Sequence, residues 1–452
     1  MTTPSRRDAL VVTVVALVAR LAVAAWAGTL IPPTADGTYY HQLAIRLATG
    51  QGYTWLWPDG VVTHAAHYPV GYPGLVAAGY ALFGAKPVVA MLLNALVGTA
   101  GAWAAYDLLR RGRSPRLALA GGLVVALHPA LVPYTAALMT EGVTAALLIT
   151  AAAFAARAHD GDARMKWLVA CGLVLGAATL VRPQCVALAP IFGWVAARAR
   201  GGAIVLALAL MVCAPWTARN CARMDQCALV SVNGGWNLAI GTQTKDGGWQ
   251  EMAVPDACKE VFAEAAKDAC FGRAARGVIA SDPLAWLARA PAKLRVTFDY
   301  FGAAPWYLHA ANPDAFPYAY KYGLGAIETV VSRLLLLAAL VSVRKLDGPR
   351  RLAREAVTAL GLVSCFVVGW AAVGYLACAV AIALLGRRAL AQAPRIVPMT
   401  AAVVLVTAGT HAVFFGSGRY GLVVVPFIAA LAFVRERSPA PSAGDGEGAA
   451  GS

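Results

Sequence analysis

Apolar segments long enough to cross a lipid bilayer recur along almost the whole chain, and this feature limits the possible folds most strongly. A helix needs roughly 20 consecutive apolar residues to cross about 30 Å of hydrocarbon. Inside lipid every backbone polar group needs a partner, which an α-helix supplies within its own segment. The composition agrees, because 59% of the 452 residues are hydrophobic and only 13% are charged. We therefore expect an all-α polytopic membrane protein.

The apolar segments predict about twelve transmembrane helices. Their expected ranges are 8–29, 86–108, 117–132, 141–157, 166–181, 184–198, 202–219, 325–343, 355–371, 372–387, 396–414 and 419–434. The first segment follows Arg6 and Arg7 like a secretory signal, but it lacks a clear cleavage site and many more spans follow. We interpret it as a retained first helix.

The basic residues alternate between the breaks, and this alternation predicts the orientation of the chain. Lys and Arg of short loops stay on the cytoplasmic side. Every second break is rich in arginine, whereas the others carry mainly Arg182 and Arg419. We therefore expect an integral, multi-pass protein of the plasma (inner) membrane with both termini in the cytoplasm. The net charge of +15 is spread over span ends, so it indicates topology and not a nucleic-acid partner.

Two predicted external segments, 31–85 and 220–324, are too long and too polar to be turns, so we expect functional residues there. They divide the chain into an N-terminal transmembrane core, an external loop domain, C-terminal transmembrane helices and a cytoplasmic tail. The corresponding ranges are 1–219, 220–324, 325–437 and 438–452. The tail is rich in Pro, Gly, Ser and Ala, and we expect it to be disordered.

Both external segments contain helical patterns. Apolar residues within 39–47 follow a helical spacing, which predicts a helix lying on the membrane surface. The apolar stretch 72–83 is too short to span a bilayer, so we interpret it as an interfacial or re-entrant piece. Amphipathic patterns over 259–279 and 283–300 predict a small, mainly helical external domain.

Four of the nine cysteines fall in the second external segment, namely Cys221, Cys227, Cys258 and Cys270. An oxidising compartment such as a bacterial periplasm permits disulfides there. Among the possible connectivities we favour the local pairs, Cys221 with Cys227 and Cys258 with Cys270. A metal site is the alternative, but no CxxC or HxxxH pattern accompanies these cysteines. The sequence therefore predicts no cofactor, and a divalent metal is an unsupported alternative.

Two carboxylates are expected at the external face of the spans. Asp36 follows the first span, and Glu141 begins a later one. Two carboxylates at one membrane face suit general-base chemistry, in which one takes a proton from an acceptor hydroxyl. Each also has a plainer interpretation. Asp36 can cap the surface helix, and Glu141 can interact favourably with its helix dipole.

Three arginines are expected at the same external face, namely Arg182, Arg219 and Arg419. Arginine can bind a phosphate group through two parallel hydrogen bonds, so these residues suit an anionic substrate. The alternative is that each extends to the lipid headgroups, which explains one such residue more easily than three. His67 lies in the first external segment near His64, a spacing that suits a metal, although no third ligand is evident nearby.

A series of motifs resembles membrane glycosyltransferases of the C superfamily, and most of all bacterial proteins of glycosyltransferase family 39. That family is related to protein O-mannosyltransferases and to aminoarabinose transferases acting on lipid A. The motifs span almost the whole chain in the family's order. They are 36–53 (DGTYYHQLAIRLATGQGY), 67–75 (HYPVGYPGL), Thr140-Glu141, Val181-Arg182-Pro183, 215–220 (PWTARN), 231–241 (SVNGGWNLAIG) and Arg419-Tyr420.

The resemblance implies an inverting transfer of a sugar from a polyprenyl-phosphate donor to an acceptor, with an external active site. The acceptor class, whether protein, lipid or glycan, is left open. By analogy, Asp36 is the catalytic carboxylate and Glu141 the second acidic residue. The chemistry of Arg182, Arg219 and Arg419 suits binding of the donor phosphate. The lipid donor enters sideways from the bilayer, so membrane lipids are expected partners. This chain has Gly37 where many relatives carry another acid.

Further residues in these motifs are candidates for substrate binding, namely Tyr40, His67, Tyr72, Asn220, Asn233 and Tyr420. Aromatic residues at an interface also serve as simple anchors, and the turn at Asn233 has an equally plain structural role. Two other functions stay open from the sequence. One is a lipid or glycan transporter or flippase, which the lack of internal repeats disfavours. The other is a family member without catalytic activity.

Overall fold

The computed structural model describes residues 6–112, 114–161, 163–299 and 302–434. Across these residues the chain is almost entirely helical, with one two-stranded sheet, as the expected all-α membrane fold requires. The predicted disordered tail, 438–452, lies outside the described residues. So do three arginines that contribute to the predicted cytoplasmic breaks, Arg113, Arg435 and Arg437.

The helices and strands follow one another in a simple order. The α-helices are α1 Arg6–Leu30, α2 Asp36–Ala48, α3 Gly71–Phe83, α4 Pro87–Arg110, α5 Pro115–Ala126, α6 Thr140–Asp160, α7 Arg164–Val181, α8 Leu188–Arg223, α9 Gly234–Gln243, α10 Glu264–Ser281, α11 Pro283–Ala288, α12 Ala290–Phe298, α13 Ala303–Ala311, α14 Tyr318–Arg344, α15 Arg351–Ser364, α16 Ala371–Ala383, α17 Gly386–Gln392, α18 Ile396–Val413 and α19 Val425–Leu431. Short 3₁₀ helices occupy Pro133–Ala136, Pro183–Ala187, Asp256–Cys258 and Gly418–Val424. The antiparallel strands are β1 Thr54–Leu56 and β2 Val62–His64, with Trp55 opposite Thr63.

Seven helical segments of the described chain are long and apolar enough to cross a membrane. They contain α1, α4, α6, α7, α8, α14 and α18. The pair α16 and α17 adds an eighth if it is counted as one span, although its two helices meet at 96°. The other predicted spans coincide with shorter helices, such as α5 with 12 residues and α15 with 14. At about 1.5 Å per residue these helices are too short to cross the hydrocarbon alone.

The long helix α8 is folded back on itself. Ala197 and Arg198 have non-helical backbone angles. The two arms approach so closely that a Cβ on Gly193 would lie 2.3 Å from the carbonyl oxygen of Gly201. Glycine therefore permits the backbone contact at this turn. The reversal lies where the sequence predicts a break between two spans.

A buried arginine closes the end of the short helix α5. Arg20, on α1, donates through Nη1 to the carbonyl oxygens of Ala16 and Ala126, at 3.1 and 2.8 Å. Ala126 is the last residue of α5. Because helix ends in lipid cannot rely on water, a side-chain donor of this kind stabilises a helix that stops inside the protein.

The main hydrophobic core joins α1, α4, α6, α7 and α8 to the C-terminal helices. A second buried cluster, which includes Tyr40, Tyr72, Tyr134, Leu138 and Tyr307, joins the first external segment to the helix ends. This second cluster supports the helix starts from which the candidate catalytic residues project.

The external segments contain the predicted helices and one feature that the sequence pattern missed. The surface helix and the short apolar stretch are α2 and α3, and the amphipathic patterns correspond to α10, α11 and α12. The hairpin β1–β2 was not predicted, because strands of three residues are too short to show a clear alternation. Disulfides join Cys221 to Cys227 and Cys258 to Cys270, the local pairs favoured from the sequence.

Candidate active site

Four charged side chains from distant parts of the chain converge in one cluster. Asp36 begins α2, Glu141 lies in the first turn of α6, Arg182 follows α7, and Arg419 lies in the 3₁₀ helix Gly418–Val424. Nη2 of Arg419 lies 2.6 Å from Oδ2 of Asp36, and Nη1 of Arg182 lies 2.8 Å from Oε1 of Glu141. Nε of Arg419 approaches the same Glu141 oxygen at 3.4 Å. We call these four residues the charged cluster.

Asp36 is the accessible carboxylate of the cluster. The N-cap of α2 is Ala35, which has a positive φ of 50°, and Asp36 is the first helical residue. Its Oδ1 accepts a hydrogen bond from the Tyr68 hydroxyl at 3.2 Å, while Oδ2 accepts from Arg419. The side chain is 30% exposed. The helix-capping interpretation is therefore not needed, because both carboxylate oxygens have tertiary partners.

The residue beside Asp36 has no room for a side chain. A Cβ on Gly37 would lie 2.8 Å from the Tyr307 hydroxyl and 3.0 Å from the Leu138 carbonyl oxygen. The Tyr307 hydroxyl is itself fixed, since it accepts hydrogen bonds from the backbone N–H groups of Thr34 and Leu138. A second acid at position 37 is thus sterically excluded from this packing.

Glu141 holds the arginines in place. Only 2% of its side chain is exposed. Its Oε1 accepts from Arg182, and its Oε2 accepts from the Tyr134 hydroxyl at 2.8 Å. Arg182 also donates to Oγ1 of Thr140 at 3.1 Å. A buried carboxylate with these partners fixes the guanidinium groups instead of meeting a substrate.

Tyr420 lies against both arginines of the cluster. The guanidinium carbons of Arg182 and Arg419 are 4.7 and 5.3 Å from the centroid of its ring. The ring of His411 stacks on the same Tyr420 ring, with the centroids 4.2 Å apart. Attraction between a guanidinium and an aromatic ring favours these contacts. Tyr420 was a predicted site residue, whereas His411 was missed because a single histidine in an apolar helix gives no pattern.

Tyr68 is a second residue that the sequence analysis did not single out, although it lies in the quoted motif 67–75. Its ring stacks on Tyr39 at 5.3 Å and meets Tyr40 and Trp55 edge to face. Burial raises the pKa of Tyr68, and the charge of Asp36 raises it further. The hydroxyl therefore stays protonated and donates to Asp36.

Two predicted aromatic residues continue this packing: the ring of Tyr40 contacts that of Tyr68, and the ring of Tyr72 contacts that of Tyr40. Both are buried, and their rings pack edge to face at 5.6 Å. Burial raises the pKa of Tyr40, and the nearby Asp36 charge adds to this effect. Tyr39, by contrast, is exposed. Tyr40 and Tyr72 are therefore buried supports of the site, whereas Tyr39 remains accessible.

The structure places Arg219 outside the charged cluster. Its Nη1 donates to the carbonyl oxygen of Ala65 at 2.7 Å, and its Nη2 donates to that of Tyr53 at 2.8 Å. Its guanidinium also covers the ring of Trp216 at 4.7 Å. These contacts correct the expectation that three arginines share one role, because this guanidinium supports the first external segment.

The predicted binding residues Asn220 and Asn233 also have structural partners. Asn220 is fully buried, and its amide donates to the carbonyl oxygens of Ala228 and Val230, both at 3.1 Å. It is not open to a substrate, which corrects that prediction. Asn233 accepts from the Ser231 hydroxyl at 3.0 Å and precedes α9.

His67 lies between the two external segments. Its ring packs against those of Tyr68 and Trp236, at 4.9 and 5.5 Å. Its backbone N–H donates to Glu264. Burial lowers the pKa of His67, while the charge of Glu264 acts in the opposite direction. Within the described ranges, no group of three or more His, Cys, Asp or Glu side chains is arranged to hold a metal ion.

Comparisons with known proteins give one family match and several distant structural likenesses. Residues 67–218 match the family model described as dolichyl-phosphate-mannose-protein mannosyltransferase. No curated protein sequence matches the chain. Among solved structures, the chain is similar to the oligosaccharyltransferase AglB of Archaeoglobus fulgidus, in complex with an inhibitory peptide and a dolichol-phosphate, with 12% identity and a TM-score of 0.44. That likeness covers 94% of this chain and 50% of the archaeal chain, so this chain spans half of its length.

The chain is also similar to ArnT of Cupriavidus metallidurans bound to undecaprenyl phosphate, with 16% identity and a TM-score of 0.42. This likeness covers 94% of this chain and 76% of that chain. Of the charged cluster, Glu141 and Arg182 lie inside the family match, and Asp36 and Arg419 lie outside it. Over residues 67–218 the chain is thus similar to the dolichyl-phosphate-mannose-protein mannosyltransferase family, in agreement with the glycosyltransferase resemblance of its motifs.

Proposed function

We propose that this protein is an inverting glycosyltransferase that moves a sugar from a polyprenyl-phosphate donor to an acceptor on the external side of the membrane. The observation that carries the proposal is the contact between Asp36 and Arg419, at 2.6 Å, within a cluster fixed by the buried Glu141. The contact sets an accessible carboxylate beside an accessible cation. Sugar transfer from a lipid phosphate needs both groups, one for the acceptor and one for the leaving phosphate.

The two arginines of the charged cluster are suited to the donor phosphate. Their side chains keep partial exposure, 12% for Arg182 and 21% for Arg419. Glu141 holds both guanidinium groups in place before a donor binds, so little reorganisation is needed when charge develops on the phosphate. Two fixed arginines also recognise phosphate geometry better than flexible lysines would.

The reaction then balances without a further reactant. An acceptor hydroxyl attacks the anomeric carbon of the sugar and gives its proton to Asp36. The bond between that carbon and the phosphate oxygen breaks, and the polyprenyl phosphate leaves with the electron pair. The Tyr68 hydroxyl, 3.2 Å from Oδ1, orients the Asp36 carboxylate. Attack opposite the leaving phosphate inverts the configuration of the sugar.

The assignment of Asp36 and Arg419 is tested by measuring sugar transfer in membranes that contain the full-length protein. A radiolabelled polyprenyl-phosphate sugar serves as the donor. Asp36→Asn keeps the size of the side chain but removes the base, so we expect transfer to fall by about 100-fold or more. Arg419→Ala removes charge stabilisation of the leaving phosphate, and a similar loss of about 100-fold is expected.

Two exposed residues of the second external segment provide matched controls. Asp246→Asn and Arg273→Ala make the same changes at exposed positions that are not part of the charged cluster, and both should transfer sugar like the wild type. All variants are compared at equal amounts of protein in the membrane. Wild-type rates in Asp36→Asn would show that this carboxylate is not the base.

A further inference from the structure

Glu264 connects the two external segments through a single carboxylate. It is the first residue of α10 and is partly buried. Its Oε2 accepts from the backbone N–H groups of Ala66 and His67, at 2.5 and 3.0 Å, and its Oε1 accepts from the indole N–H of Trp55 at 2.9 Å. Three donors thus meet one anion. Hydrogen bonds to a charged acceptor are stronger than neutral ones.

All three donors adjoin Tyr68. Ala66 and His67 precede it directly in the chain, and the ring of Trp55 meets its ring edge to face at 6.1 Å. The Tyr68 hydroxyl in turn donates to Asp36. A continuous set of contacts therefore leads from Glu264 to the carboxylate at which the proposed reaction occurs.

We propose that Glu264 is a positioning residue of the transferase site, because it fixes the segment that holds the Tyr68 hydroxyl against Asp36. This inference rests on the proposed function, which assigns the reaction to Asp36. The role requires a carboxylate. A glutamine has one acceptor oxygen, and its NH₂ group would face N–H donors that it cannot satisfy.

A disulfide, a hydrogen bond and ring contacts hold the chain around Glu264 in place. The disulfide Cys258–Cys270 closes the chain on both sides of it. Oδ1 of Asp268 accepts from the backbone N–H of Trp236 at 2.8 Å. The Trp236 ring packs against Phe271 at 4.9 Å and also against His67. The backbone that carries Glu264 is therefore held by covalent and packing contacts, which we call the disulfide frame around α10.

Removing Glu264 should displace residues 65–67 without unfolding them, because their carbonyl groups have other partners. Arg219 donates to the Ala65 carbonyl oxygen, and the N–H of Val232 donates to that of Ala66 at 2.9 Å. The N–H of Ala65 donates to the Tyr53 carbonyl oxygen at 3.0 Å, whereas the N–H groups of Ala66 and His67 donate to Glu264. A change at Glu264 thus alters orientation more than stability, which makes its effect measurable.

The test compares Glu264→Gln with Glu260→Gln in the full-length protein, since Glu260 is an exposed acid on the same segment. Hydrogen exchange is measured on peptides that contain the Ala66 and His67 amides. Loss of a charged acceptor should speed exchange in Glu264→Gln by about tenfold, and Glu260→Gln should match the wild type. Protection that is unchanged in Glu264→Gln would overturn the proposal.

The same variants are assayed for transfer. We expect kcat of Glu264→Gln to fall by about tenfold while KM for the lipid donor stays the same, because the arginines are untouched. Glu264→Asp, which keeps the charge, should recover part of the rate. Faster exchange at residues 66 and 67 with wild-type kcat would show that Glu264 holds these amides without positioning the site, and would contradict the proposal.

A double variant tests the route through Tyr68. Tyr68→Phe keeps the ring and removes the hydroxyl that donates to Asp36. If Glu264 acts through that hydroxyl, adding Glu264→Gln to Tyr68→Phe should cause little further loss of kcat. If the two substitutions lower kcat independently, so that their fold-losses multiply in the double variant, Glu264 does not act through the Tyr68 hydroxyl. Absence of transfer in the wild type would instead overturn the proposed function, and hydrogen exchange would then still report whether Glu264 holds the segment.

Discussion

At the scale of single residues, the environments of two carboxylates give a physical basis for the different roles that the family resemblance implies for them. Asp36 and Glu141 both lie at helix starts in short polar motifs. Asp36 is 30% exposed, and Glu141 is 2% exposed with a tyrosine and arginines around it. The first is therefore suited to react with an acceptor, and the second to hold the cations. The sequence identified both residues, but burial and hydrogen bonding distinguish their roles.

Gly37 provides a test of packing at the same scale. In Gly37→Ala the new methyl group would lie 2.8 Å from the Tyr307 hydroxyl, so overpacking should destabilise the protein by about 1–3 kcal/mol. The midpoint of thermal denaturation in detergent measures this, and transfer should fall because Asp36 is adjacent. Gly277→Ala is the control, since a Cβ there meets nothing within 4 Å among the described residues. Equal stability of the two variants would contradict the tight packing at Gly37.

At the scale of elements, the sequence predicted most helices but not all of their lengths. Apolar periodicity located α2, α3 and α10 within a few residues, because a helical pattern is a local property. It did not show that α5 ends at Ala126, where a guanidinium from α1 meets its carbonyl oxygen. It also missed β1 and β2. Helix ends and short strands depend on partners from elsewhere in the chain.

The disulfide frame around α10 gives a prediction at this scale. Replacing both Cys258 and Cys270 by serine should destabilise the external segment locally by about 2–4 kcal/mol, because the open chain regains conformational freedom. Limited proteolysis of the purified protein should then cut within 258–270 faster than in the wild type. Tyr68 and Asp36 depend on this frame through Glu264, so transfer should fall as well. Unchanged cleavage would show that packing alone holds the segment.

At the scale of the whole molecule, the fold brings the charged cluster together from four separate parts of the chain. The starts of α2 and α6, the end of α7 and the 3₁₀ helix before α19 meet there. If the external segments face outward as the charge pattern predicts, the lipid-linked donor of the proposed reaction would reach the arginines from within the bilayer. Under that proposal the membrane supplies the substrate as well as the solvent for the fold.

The orientation is tested by labelling single introduced cysteines in intact cells with a membrane-impermeant thiol reagent. Asp246→Cys, in the second external segment, should react at once. Arg351→Cys, at the start of α15 in a predicted cytoplasmic break, should react only after the membrane is permeabilised. The five cysteines outside the disulfides are buried, which keeps background labelling low. The reverse pattern would invert the topology and move the cluster to the cytoplasmic side.

The sequence by itself determined the membrane class and the positions of most helices, identified all four residues of the charged cluster, and favoured the local cysteine pairs among the possible connectivities. These features depend on composition, periodicity and short motifs, which are properties of residues close together in the sequence. Only the tertiary structure decided that Arg182 and Arg419 share Glu141, that Arg219 instead holds the first external segment, and that Glu264 reaches Tyr68. The physical reason is distance. Side chains separated by tens to hundreds of residues meet only after the helices have packed, and no local pattern records which of them will meet.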